Sequence, residues 1–396
     1  MLKQYAKAIV VVSLLCVTIN CRKHESEIEI SDSYENISND TLQAAMASIS
    51  IDGQDNLYVV WKSAPWTGPY GSDSASIRFS MKTTGKGWTE SVIISEQRQK
   101  CDAPSLVVDK AGNVHIVWIE LHEGGYNKLY YRARNSVGEW QATEELVNNP
   151  DYHVELPYLS IDSDGGVHVT WCGWNEIFYL FKPYNESWEN IVSVSCVKSP
   201  MGNPANTEID SENSLHLVYQ DYTTFSDIWY LTKASGGSWN EMVNLSNNSQ
   251  LVCWNSRIAL DDNGHIAVTW HGYGWEEQGI YYSQKLNDGE WSIPDCIFAG
   301  YGYQQMCIDN SGTLYLFFVT KDIENGNMDV YYGFENGENS WTEFVNVTKS
   351  PGQSGLGLCR NIVVDANDDL HLIWEEDLGG QNNWDILYKK IEGRHK

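Results

Sequence analysis

Three observations predict an all-β chain, folded as a seven-bladed β-propeller of four-stranded antiparallel blades. The first is a repeat: seven times an Asp is followed nine residues later by a large aromatic. The pairs are Asp52 and Trp61, Asp109 and Trp118, Asp162 and Trp171, Asp210 and Tyr219, Asp261 and Trp270, Asp309 and Phe318, and Asp365 and Trp374. Successive Asp residues lie 48 to 57 positions apart, a period that marks repeats of one architecture rather than independent domains. The second is the grammar inside each repeat, clearest in PSLVVD, KAG, NVHIVWIE, KLYYRAR and EW. Alternating apolar and β-branched runs broken by turn residues read as four strands per repeat. The third is the way the repeats end. The last one stops after its third strand at LYKKIEGRHK, while Ser33–Ser38 (SYENIS) resembles the fourth strands WTEFVNVT and WNEMVNLS. An N-terminal strand that completes the last blade closes the ring and removes the exposed sheet edge.

The elements follow in order. Residues 1–21 are a secretory segment: Lys3 and Lys7 precede AIVVVSLLCVTI, a run too short to span a bilayer. Cys21 follows directly and resembles the lipidated residue of a bacterial lipoprotein signal, although Thr18, Ile19 and Asn20 depart from the small residue preferred before it. Acyl chains there would tether an exported protein of the cell envelope to a membrane. Residues 22–32 form a charged spacer, and residues 33–396 are read as one propeller domain. The third residue after each Asp (Asp55, Gly112, Gly165, Asn213, Gly264, Gly312 and Asp368) tolerates the left-handed backbone of a tight hairpin. A second spacing joins third and fourth strands in six blades: Phe79 to Trp88, Tyr131 to Trp140, Tyr179 to Trp188, Tyr230 to Trp239, Tyr282 to Trp291 and Tyr332 to Trp341.

The net charge of −27 sets the chain against polyanionic partners, nucleic acid first among them. A monomer is expected. Seven Cys follow Cys21 without CxxC spacing, so they read as small buried hydrophobes. No metal and no cofactor is expected, since stretches such as DSDGG at Asp162–Gly166 lack the ligand spacing of a calcium loop. The repeated Asp residues read as turn caps. His115, His168, His216 and His371, with Tyr58 and Tyr315 at the same place in two other repeats, read as structural, because no catalytic group is needed four times.

In such a ring the connections that enter each blade and the loops between second and third strands gather at one face, and the Asp turns lie at the other. The loops bring Trp66, Tyr70, Trp174, Tyr222, Tyr273 and Trp275 together with Glu120, His122, Glu123, Asp221, His271, Asp322, Glu375, Glu376 and Asp377. Flat rings that stack on sugar faces, beside carboxylates that bond hydroxyls, suit a carbohydrate site; padding between blades is the bland alternative. The connections supply Arg98, Glu155, Asn203, Trp254, Asn255, Arg257, Tyr301, Tyr303, Gln304 and Arg360. Three of the eight Arg fall there, and Arg near the axis forks onto a carboxylate or sulfate.

Repeats of the form PxLxxDxxGxxHxxW, such as Pro104–Trp118 and Pro157–Trp171, resemble those of the sialidase-like (neuraminidase-type) propeller superfamily over nearly the whole mature chain. The resemblance implies an Arg triad for a sugar carboxylate, a Tyr and Glu pair as nucleophile and an Asp as acid or base. Arg257, then Arg360, best match the first of those Arg. The Asp-box SxDxGxxW is absent between third and fourth strands, and Tyr303 has no identifiable Glu partner. Three classes follow. A tethered glycan-binding module is placed first, with Trp66, Glu120, Glu155, Trp174, Asp221, Tyr222, Trp275, Arg360 and Glu375 as binding residues. A glycan-active enzyme of sialidase or polysaccharide-lyase type would use Arg257, His271, Tyr273 and Tyr303. A protein-binding scaffold needs neither set.

Overall fold

The structure, a computed structural model, describes residues 33–393 except 40–41, 66–73, 97–99, 122–124, 196–204, 222–225, 248–250, 275–277, 287–288, 324–325, 338–339 and 379–382. It is a ring of seven antiparallel blades. Blades 1 to 6 each have four strands in sequence order. Their innermost strands are Gln43–Ile51, Cys101–Val108, Glu155–Ile161, Asn206–Ile209, Val252–Leu260 and Tyr303–Ile308. Blade 7 splits its innermost strand into Ser354–Gly355 and Ile362–Val364, continues with Leu370–Asp377 and Trp384–Ile391, and ends in Glu35–Asn36. The N-terminal strand therefore closes the ring as the sequence predicts. Glu35 pairs with Tyr388, Asn36 with Leu387, and the Ile37 amide donates to the Ile386 carbonyl.

The Asp turns behave alike in all seven blades. Each Asp accepts the amides two and four residues on, as Asp109 does from Ala111 (3.0 Å) and Asn113 (2.7 Å). The residue between takes a left-handed backbone every time, from φ 58° at Asp55 to 86° at Gly165. That conformation is why Gly, Asn or Asp stands there. The second Asp oxygen holds the sixth residue: His168 at 3.2 Å, His216 at 3.0 Å, His371 at 3.1 Å, Tyr58 at 2.8 Å and Tyr315 at 3.1 Å. On their other ring nitrogen, His115, His168, His216 and His371 each meet a third-strand Tyr hydroxyl. These histidines are structural.

Three layers bind blade to blade. The aromatic nine residues after each Asp is at most 1% exposed and fills the core between sheets. Further out, the two rings of the second spacing do not meet within a blade. Each fourth-strand Trp instead packs edge-on against the third-strand ring of the preceding blade: Trp140 on Phe79, Trp188 on Tyr131, Trp239 on Tyr179, Trp291 on Tyr230, Trp341 on Tyr282 and Trp88 on Tyr388, with centroids 4.8–5.8 Å apart. Such contacts add about 0.5–1.5 kcal/mol each beyond area burial. Around the axis, a side chain joins the innermost strands at every junction. Ser50 accepts from Val108, Ser105 from Leu159, and Ser160 meets Thr207. Asn206 donates to Ser256, Gln304 to Asn255, Gln305 to Gly357 and Cys359, and Asn361 to Ala47.

Cys101, Cys172, Cys253, Cys307 and Cys359 are buried thiols outside any disulfide, as their composition suggested. Cys296 is the exception and is exposed, because it lies in the outermost strand of blade 5. Among the described residues, no helix is long and apolar enough to cross a membrane.

Candidate functional site: the mouth of the ring

The face opposite the Asp turns is built by the blade connections and second-to-third strand loops, as expected. A backbone device repeats there. Met46, Ala103, Leu156 and Asn255, each six residues before its Asp, adopt φ of 54°, 45°, 45° and 56°. Each sits in a register shift of its innermost strand. Left-handed non-glycine residues cost on the order of 1 kcal/mol or more, and bulges that carry them re-aim the chain where a sheet meets a site. No composition cue marks Met46, Ala103 or Leu156, so sequence reasoning missed the bulges; only their fixed offset from the Asp gave a signal.

Two patches of rings stand on this face. In blade 3, Trp174 lies in the loop after the second strand, 45% exposed, and stacks on His153 with centroids 3.9 Å apart and planes at 16°. His153 is buried, and its Nε2 meets Glu155 Oε1 at 3.0 Å. The predicted binding residues Trp174 and Glu155 are thus brought together by a histidine that the sequence reading overlooked. In blades 5 and 6, Trp254 packs against His271 (4.8 Å), Tyr303 (5.4 Å) and Tyr301 (5.9 Å). Tyr301 and Tyr273 are 42% and 55% exposed. His271 is sealed beneath Trp254 and Tyr301. Burial pushes its pKa down to about 4, with the Gly300 main chain opposing, so it is neutral at pH 7.

The axis is crossed by two of the three arginines of the sequence reading, Arg257 and Arg360. Arg360 reaches from blade 7 to Glu208 of blade 4, with Nη2 2.5 Å from Oε1, and its guanidinium lies 5.7 Å from the Tyr158 ring of blade 3. Burial works against its charge, but Glu208 and then Tyr158 outweigh that and raise its pKa. Arg257 reaches from blade 5 to the Leu358 carbonyl of blade 7 at 3.3 Å and also donates to Ser256 O at 2.9 Å. Burial brings it down to about 10, with Tyr158 and Cys359 as opposing influences. Tyr158 itself is pushed up to about 12 by burial, against the pull of Arg360. The axis therefore holds a Tyr between two Arg, with Glu208 near it; neither Tyr158 nor Glu208 was singled out from sequence.

Glu375, in the second strand of blade 7, accepts the Met46 bulge amide at 2.6 Å. Burial raises its carboxyl to about 7, against that amide and Lys62. Glu120 is half-buried on the second strand of blade 2, opposite Cys101. Asp221, Asp322, Glu376 and Asp377 are buried rather than displayed on the rim. Asp322 accepts from Tyr331 and Asn346, and Glu376 from Ser354 and Trp374. Trp66, Tyr70, Arg98, His122, Glu123, Asn203, Tyr222 and Trp275 lie outside the described residues, as does Cys21. Among the described residues, no group of three or more His, Cys, Asp or Glu is placed to hold a metal ion.

The sequence matches no family model and no curated protein. Solved structures do share its shape. A protein of unknown function from Dyadobacter fermentans aligns over 91% of this chain and 99% of its own, at 11% identity and TM-score 0.55. A Hadza microbial sialidase aligns over 88% of this chain and 66% of its own, at 11% identity and TM-score 0.50. A leech intramolecular trans-sialidase, complexed with 2,7-anhydro-Neu5Ac, aligns over 92% and 70%, at 12% identity and TM-score 0.50. The chain spans about two thirds of both sialidases' length. The likeness is one of fold: a β-propeller similar in shape to those of the two sialidases, here with seven blades.

Proposed function

We propose that the protein is an exported carbohydrate-recognition module that takes up a glycan on preset aromatic faces at the mouth of the ring. The observation that carries the reading is Trp174, left 45% in water yet fixed flat on the buried His153. A held indole presents an apolar face for a sugar ring, and Glu155, already tied to His153, accepts hydroxyl protons. Tyr301, packed over Trp254 and His271, offers a second such surface, with the exposed Tyr273 at the end of the strand that carries His271. The sialidase-like fold agrees with a glycan ligand, but fold alone is a weak guide to function. Export and a tether through Cys21 belong to the same proposal and rest on the N-terminal sequence. Native affinity electrophoresis against neutral, uronate-containing and sialylated glycans tests it. Retardation is expected with at least one polymer, and Trp174→Ala should weaken it by about 2 kcal/mol, roughly thirtyfold. Equal retardation of the parent, Trp174→Ala and Tyr301→Ala would remove the ring platforms. No response to any glycan would leave the protein-binding scaffold.

Glu375 favours a second reading, a glycan-cleaving enzyme. A carboxyl held near 7 by burial at the blade 7 mouth gives and takes a proton near neutral pH. If the gels show clearing, Glu375→Gln should lower the rate by at least about a hundredfold without loss of binding. Clearing at the parental rate by Glu375→Gln would exclude this carboxyl.

A further inference from the structure

Charge is unevenly matched along the axis. Arg360 is neutralised by Glu208. Arg257 is 5% exposed, and among the described residues no carboxylate lies within 4.0 Å of it. Two of its nitrogens meet main-chain carbonyls, and the third, Nε, has no partner. Its neighbours Tyr158 and Cys359 are both held up to about 12 by burial, so neither supplies a negative charge at pH 7. Two more buried donors stand unused: the hydroxyls of Ser256, next to Arg257 in the chain, and of Ser48 in blade 1, at the same level of the ring, four residues before its Asp. Asn361, also at that level, keeps an unpartnered Oδ1 that a bridging water would satisfy. An isolated buried cation is costly, and the cost falls when an anion shares the site.

We infer that the ring axis contains a binding site for a small inorganic anion of halide size, centred on the free Nε of Arg257. Two of its five N–H groups are taken by those carbonyls, and the free Nε–H with an N–H of a neighbouring terminal nitrogen can hold one monatomic ion such as chloride at a group that is only 5% exposed. The site lies within the ring and uses none of the exposed rings of the glycan reading. A bound halide would offset a net positive charge where three blades meet, and so couples ring stability to halide concentration.

The full chain is tested in a gluconate buffer at constant ionic strength, with chloride or bromide replacing gluconate. A saturable rise in Tm of about 2 °C or more is expected for the parent and for Trp174→Ala. Arg257→Gln, which keeps donors but removes the charge, should show no halide dependence. An equal response in Arg257→Gln, or none in the parent, would overturn the inference. Crystals grown in bromide supply a readout that needs no variant: an anomalous peak within hydrogen-bond distance of Arg257 is expected, and a map without one overturns it. An anionic sugar that raises Tm where halide does not would also overturn it, by assigning the charge to a glycan. Failure of the glycan gels leaves this test untouched.

Discussion

A chain begun at Leu42 should unfold about 7 °C below one begun at Arg22, and should form dimers or larger species that the longer chain does not. The segment 33–38 does little in length and much in position. Ile37 is 6% exposed, and its burial is worth about 2 kcal/mol. Ser38 donates to the buried Asp385 at 2.7 Å and accepts from the Ile386 amide at 3.0 Å. Its loss would leave a carboxylate unpaired, at about 1–3 kcal/mol. Glu35 also pairs with Lys82 across the junction to blade 1. Together these reach about 5 kcal/mol, and the uncovered edge of Trp384–Ile391 becomes a template for another chain. Differential scanning calorimetry and sedimentation velocity on both chains check this. Matching midpoints with no association would show that the ring is held without its N-terminal strand.

Acid should weaken the ring between pH 6.5 and 4, by a net amount of about 3 kcal/mol. Burial, as the main cause, pulls His271 and His115 from 6.5 to about 4. A histidine depressed in the folded state contributes stability above its unfolded pKa and loses it as pH falls, about 3 kcal/mol each by pH 4. His216 and His371 are displaced in the same direction. Burial displaces Glu335 and Glu376 upward, which sets them against His216 and His371, and Glu375 opposes the larger pair. Its folded pKa is raised from 4.5 to about 7, so it stabilises as pH falls through that interval. One carboxyl offsets about one histidine, and the remainder wins. Urea unfolding at pH 7 and pH 4.5 measures the loss. His271→Phe, which keeps a ring under Trp254 without a proton site, should lose less; an equal loss would exonerate His271.

The fold was legible because its signals are local and repeated. Asp109, Gly112 and Trp118 sit at fixed offsets within one hairpin, and a turn needs nothing from the rest of the chain. The interval from Phe79 to Trp88 was equally visible, but its meaning was not. The Trp packs on the preceding blade, and that follows only when neighbouring sheets are set side by side. The same physics hid part of the mouth. The partnership of Arg360 with Glu208 spans 152 positions, and that of Glu375 with the Met46 amide spans 329. Neither spacing repeats. Trp174 and Glu155 were found by type and place, whereas His153, which joins them, carries no cue until its ring is seen under the indole. Asp221, Asp322, Glu376 and Asp377 misled for a related reason. Loop position suggests exposure, while partners such as Tyr331 and Trp374 draw two of those carboxylates inward.

The direction of the closing strand gives the molecule a front and a back. The strand Trp384–Ile391 runs away from the mouth toward the Asp turns, and Glu35–Asn36 lies antiparallel to it. Ser33, the first described residue, therefore lies beside Lys82 and Asp55, among the turns of the rear surface. Ser33 thus stands at the rear surface, and Trp174, Tyr273 and Tyr301 belong to the opposite one. If a membrane lay against the rear surface, the rings would face outward toward the surroundings, free to meet polymers too large to slip beneath the protein.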